Sequence, residues 1–112
     1  MSTLRNKVTL VGHVGNAPEV KNFDNGGKVV KLTLATNESY KNKQGEKVEN
    51  TQWHNIVAWG SLAGRFEKYV QKGQEIMIEG KLVNRSYEGK DGEKRYVTEI
   101  EAAEILFLGK KN

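Results

Sequence analysis

The chain has no cysteine, one proline and two histidines among its 112 residues, and its only aspartates are Asp24 and Asp91. Without cysteine there is neither a disulfide framework nor a thiolate metal site. His13 and His54 are far apart, and with Asp24 and Asp91 they do not form the spacing of a metal-ligand set. Gly12, Gly15 and Gly26-Gly27 are not followed by Gly-Lys-Ser/Thr, so a phosphate-cradling P-loop is absent. No apolar run approaches the roughly 20 residues that a membrane-spanning helix needs. Met1-Ser2-Thr3-Leu4-Arg5 lacks the apolar segment of a secretory signal, so a cytoplasmic location is expected. Nothing marks a nucleophile with its base. Glu99 and Glu101 alternate along a predicted strand and read as a solvated face rather than a catalytic pair. Neither catalysis nor a metal or cofactor is expected.

What is present is a globular composition, 37% hydrophobic and 29% charged, with a net charge of +4 that permits an anionic partner without requiring one. The length suits one domain, read as residues 1–109, with 110–112 as a short basic end. Val8, Leu10 and Gly12 alternate with Lys7, Thr9 and Val11 ahead of the turn-prone Gly15-Asn16-Ala17-Pro18. After the turn signal Asn25-Gly26-Gly27, Val30, Leu32 and Leu34 alternate with Lys31, Thr33 and Ala35. The polar stretch from Ser39 to Asn50 reads as an extended hairpin loop, and a third strand follows from Thr51 to Gly60. A helix is predicted from Leu62 to about Gln71, capped by Ser61 and ended by Gly73, with Leu62, Phe66, Tyr69 and Val70 on one face. A fourth strand runs from Ile76 to Tyr87 with a bulge at Gly80, and a fifth from Tyr96 to about Leu108, joined by the tip Glu88-Gly89-Lys90-Asp91-Gly92. Five strands with one helix between the third and fourth is the all-β, Greek-key OB-fold order, with long hairpins as arms. Another small β-barrel or an α+β sheet fits the same order.

The aromatics suggest a function. Trp53 and Trp59 are six residues apart on one predicted strand, so they share a face with Asn55 and Val57, opposite His54, Ile56 and Ala58. Core packing is the competing explanation for both. Tyr40 and Tyr87 end their strands beside basic hairpins, one carrying Lys41, Lys43 and Lys47, the other Arg85, Lys90, Lys94 and Arg95. Arg5, Lys7 and Lys31 complete the candidate phosphate contacts. Interleaved rings and cations suit single-stranded nucleic acid, since every base offers a π-face and every phosphate a charge. Taken alone, the lysines are better explained by a merely solvated hairpin.

One family carries these features in the same order. Asn6-Lys7-Val8-Thr9-Leu10-Val11-Gly12, Pro18-Glu19-Val20 and Asn25-Gly26-Gly27 are followed by Leu32-Thr33-Leu34-Ala35-Thr36-Asn37-Glu38-Ser39. Thr51-Gln52-Trp53-His54, Lys72-Gly73 and Ile78-Glu79-Gly80-Lys81-Leu82 complete the set. Over nearly its full length the chain resembles the DNA-binding domain of bacterial single-stranded DNA-binding proteins. The resemblance implies an OB-fold homotetramer that coats single-stranded DNA with little sequence preference during replication, recombination and repair, on the nucleoid. It implies base stacking on Tyr40, Trp53, Trp59 and Tyr87, and a place near the subunit interface for His54. Asn55 stands where the family often has a basic residue. Family members usually continue into a linker and an acidic tail that recruits replication and repair proteins, whereas this sequence finishes Gly109-Lys110-Lys111-Asn112, so the resemblance supports such partners only weakly. A replication-restart protein, an RNA-binding OB domain, or an assembly module whose aromatics form a protein interface are the rivals.

Overall fold

The computed structural model describes residues 4–108. Alternation along the strands sets its core. In β3 (Lys28–Lys41) Val30, Leu32 and Leu34 point inward and are at most 3% exposed. Ile56 and Ala58 of β4 (Lys47–Trp59) join them, with Val14 of β1 (Val8–Val14) and Ile76 and Ile78 of β5 (Glu75–Glu88). Ile100, Ala102 and Ile105 of β6 (Lys94–Phe107) complete the strand contribution. The single helix α1 (Gly60–Tyr69) adds Ala63 and a fully buried Phe66.

The pairings β1–β5, β5–β6 and β3–β4 are antiparallel, and β4 meets β6 in parallel through Ile56–Ile100 and Val57–Glu101. β1 bends from β5 onto β3 through His13–Ala35 and Val14–Leu34. This closes five strands into a barrel with the helix between β4 and β5, which is the expected OB-fold arrangement. The expected bulge is present as a register shift at Glu79/Gly80.

Three expectations need correction. A short additional strand, β2 (Glu19–Asn22), pairs with Lys28–Lys31 around a turn in which Gly26 has φ of 88°. The loop expected from Ser39 to Asn50 is mostly strand: β3 and β4 remain paired out to Lys41–Lys47, leaving only Asn42–Glu46 as the tip. There the Asn42 side-chain oxygen accepts the backbone N–H groups of Gln44 and Glu46, both at 2.9 Å. The helix begins at Gly60 rather than after a Ser61 cap, and its N-cap residue is Trp59, which makes no side-chain capping bond. Gly60 takes φ of 63°, a left-handed conformation that turns the chain straight from β4 into the helix. Of the expected helix face, Phe66 and Val70 are buried and Leu62 is half-buried, while Tyr69 sits outside against Phe107 at 6.2 Å.

Candidate nucleic-acid interface

The residues of β4 that alternate with its core positions build a groove on the outer wall of the barrel. Trp59, Val57, Asn55 and Trp53 lie opposite Val29, Lys31, Thr33 and Ala35 of β3. Across the parallel junction β6 adds Val97, Glu99 and Glu101, and β5 adds Val83, Arg85 and Tyr87. Val29 and Val57 belong to this outer face and yet are buried, forming an apolar floor beneath the polar walls. The expected common face for Trp53, Asn55, Val57 and Trp59 is therefore present, and neither tryptophan is a core residue: both are more than half exposed.

Trp59 stacks on Phe23 of the β2–β3 turn with ring centroids 6.3 Å apart and planes 12° apart, and Lys21 Nζ lies 5.5 Å from the Phe23 ring. Trp53 rests its edge against Gly15, where a Cβ would come within 2.4 Å of the indole. Asn16 fixes that support, its side-chain oxygen accepting the backbone N–H of Thr33 at 2.8 Å and its hydroxyl at 2.6 Å. Both indoles are held from beneath while a ring surface stays open to solvent. Tyr87, half exposed, lines the same groove beside Lys31, Asn55 and Arg85.

Tyr40 does not join them. The unbroken register pairs it with Val48, five residues beyond Ala35, so it lies on the other face of the β3–β4 ribbon from Trp53. His54 shares that other face, half-buried, with Nε2 2.9 Å from the Thr36 hydroxyl.

The candidate cations divide by position. Lys31 lies in the groove. Lys41 and Lys47 are cross-strand neighbours at the end of the first arm, with Lys47 3.9 Å from Glu49. Lys43 and Lys90 stand exposed at the two hairpin tips. Arg95 bridges to Asp91 at 2.9 Å, and Lys94 sits 5.9 Å from the ring of Tyr96. Arg5 and Lys7 are outside the groove: Arg5 is in a 3-10 turn (Leu4–Asn6) held to Leu82 by Asn6, and Lys7 pairs with Glu79 at 3.3 Å.

Arg85 is not a free cation. Its Nε and Nη2 donate to the two carboxylate oxygens of Glu99 at 2.9 and 3.0 Å. The hydrogen bond from Arg85 holds the Glu99 carboxyl below its ordinary range, helped by the charges of Arg85 and Lys31 and opposed by burial. The same bond raises the Arg85 guanidinium. Glu99 is thus a groove residue with a side chain only 12% exposed, and the expectation of a solvated face fails for it. The sequence reading also missed Phe23, Lys21 and Tyr96. A ring at a strand end beside cations is the signal used at the other hairpins, and applied to Phe23, between Lys21 and Lys28, it would have found this one.

Flanked by cations and open ring faces, this outer groove has the form of a site for a polyanion carrying planar groups. The model of the single-strand binding protein family matches residues 5–108. The chain belongs to this family. "Single-stranded DNA-binding protein 1" of Chlorobaculum tepidum is 46% identical over 96% of the chain. A Neisseria meningitidis single-stranded DNA-binding protein is 40% identical over 96%. The chain spans 67% and 62% of these two relatives. Among solved structures, the complex of Plasmodium falciparum SSB with ssDNA superimposes with a TM-score of 0.85 at 31% identity, covering 96% of this chain and 97% of that one. A deletion mutant of the single-stranded DNA-binding protein from Thermus aquaticus gives 0.79 at 30% identity, over 92% of this chain and 50% of the other. The resemblance read from the ordered motifs is therefore borne out in both family and fold. Among the described residues no helix is long and apolar enough to cross a membrane.

Proposed function

We propose that this family member binds and coats single-stranded DNA with little sequence preference, in replication, recombination and repair, and acts by binding rather than by catalysis. The observation that carries the reading is the outer groove, where Trp59 and Tyr87 present open rings on either side of Lys31. Bases stack on Trp53, Trp59 and Tyr87, with Phe23 extending the Trp59 platform, and phosphates meet Lys31 and the arm lysines Lys41, Lys43, Lys47 and Lys90. Stacking contributes about 1–3 kcal/mol per base whatever the base. Binding only the unpaired strand shifts the duplex equilibrium by mass action. The experiment is a fluorescence titration with oligo-dT and with a matched duplex, each at two salt concentrations. Tight, salt-sensitive quenching by oligo-dT with far weaker duplex binding supports the reading; equal, weak binding to both refutes it.

The chain itself forms the second partner. Beyond its contact with β3 at His13 and Val14, β1 has no strand on its outer edge among the described residues. Beside that edge Val11 and Leu106 are exposed on either side of Met77. An uncovered edge with apolar neighbours is a surface on which a second copy can pair. This supports the homotetramer, with His54 near a subunit contact, and the mass of the purified protein in solution tests it.

A further inference from the structure

The proposed DNA groove already contains an anion. Glu99 on β6 lies among Lys31 of β3, Glu19 and Lys21 of β2, Arg85 of β5 and its own neighbour Glu101. Lys21, Lys31 and Arg85 thus stand beside three carboxylates, of which Glu101 also lies 4.0 Å from Lys81. Within the groove, the planar fork of Arg85 is engaged bidentately by Glu99, the geometry that a phosphate would use. Glu99 is also poorly solvated, so its charge is screened less than that of an exposed carboxylate.

We propose that Glu99 is a built-in competitor for the DNA backbone: it occupies Arg85 in the free protein, and a phosphate must take Arg85 from it. The proposal rests on the single-strand reading above. Its consequence is that this conspicuous groove carboxylate weakens binding. The groove therefore releases a strand more readily than its rings and cations alone would allow. If Glu99 instead steadied Arg85 while a phosphate used the free guanidinium edge, its removal would weaken binding.

The sign of the effect decides between these. Glu99→Gln, Glu101→Gln, Arg85→Gln and the Arg85→Gln/Glu99→Gln double variant are titrated with oligo-dT over a range of salt. Glu99→Gln is expected to bind about two- to fivefold more tightly at low salt, the effect of one partly exposed ion pair. Its log–log salt slope should stay close to that of the unaltered chain, because a phosphate takes Arg85 in both. The gain should vanish in the Arg85→Gln background, and Glu101→Gln, which leaves the Arg85–Glu99 bridge in place, should give no gain of this size. Weaker or unchanged binding by Glu99→Gln, or equal gains with and without Arg85, overturns the proposal. Should Glu99→Gln fail to fold, carboxyl-carbon NMR of the unaltered protein gives the answer. The Glu99 pKa should rise when oligo-dT saturates the groove, and an unmoved value refutes the competition. An unaltered protein that does not bind oligo-dT refutes the single-strand reading instead.

Discussion

Trp53→Ala separates a stacking platform from a structural tryptophan. Trp53 is 62% exposed, so a little over a third of its surface is covered, part of it against Gly15. Taking about 250 Å² for a tryptophan side chain and about 25 cal/mol per Å², removal forfeits at most about 2.4 kcal/mol of stability. Extended-chain burial overstates the true change, so the measured cost should be smaller. A domain of this size has roughly 5–15 kcal/mol in hand and remains folded. The loss of one stacked base, about 1–3 kcal/mol, should instead lower affinity for oligo-dT about 5- to 150-fold. Urea unfolding and oligo-dT titration on the same preparation measure the two quantities. A large fall in unfolding free energy with unchanged affinity would refute the reasoning and return Trp53 to the core.

Lys43, exposed at the first tip with no ion-pair partner among the described residues, should contribute one phosphate contact; Lys43→Ala should flatten the log–log salt slope by about 0.7. Lys7→Ala should leave that slope unchanged, because Lys7 lies outside the groove and is paired with Glu79. Stability should fall in acid through Glu99. Its folded pKa is below its ordinary value of 4.5, so the contribution of the Arg85 bridge is full above pH 4.5 and is lost as pH falls through the lower folded value. Urea unfolding of Glu99→Gln between pH 7 and pH 3 should show a shallower decline than the unaltered chain. Tyr40→Ala should weaken binding to long oligonucleotides more than to short ones, because Tyr40 lies across the ribbon from Trp53 and a strand must pass around the arm to meet both.

Where a strand buries one face, its sequence displays the fact. Val30, Leu32 and Leu34, or Ile56 and Ala58 against Trp53 and Trp59, reveal both strand and side because burial forces a period of two. The arms have no such signal. Ser39–Lys41 and Lys47–Asn50 leave the barrel with polar residues on both faces, so only backbone pairing distinguishes them from loop. That concealed the register, and with it the fact that Tyr40 faces away from Trp53. β2 has only Val20 half-buried, too little for a pattern. The helix start depended on a backbone angle at Gly60 that the residues Gly60-Ser61 do not disclose. Glu99 was misjudged because its partner is on the neighbouring strand, 14 residues away, and only the hairpin register brings them together.

The charge balance in the groove divides the work of binding. Free cations stand mainly on the arms, at Lys41, Lys43 and Lys90, whereas the polar walls of the groove set Arg85 against Glu99, with Lys31 beside them. A backbone pressed between those walls meets Glu99 at Arg85; one carried along the arms meets the unpaired lysines. The rings of Trp59, Phe23 and Tyr87 border the floor and offer π-faces rather than donors aimed at a particular base edge. Bases on the rings, most phosphates along the arms and one taking Arg85 from Glu99 is the arrangement that satisfies both sets of groups. Sequence tolerance follows from it, because ring faces contact every base alike while the arm lysines meet only the phosphates that all sequences share.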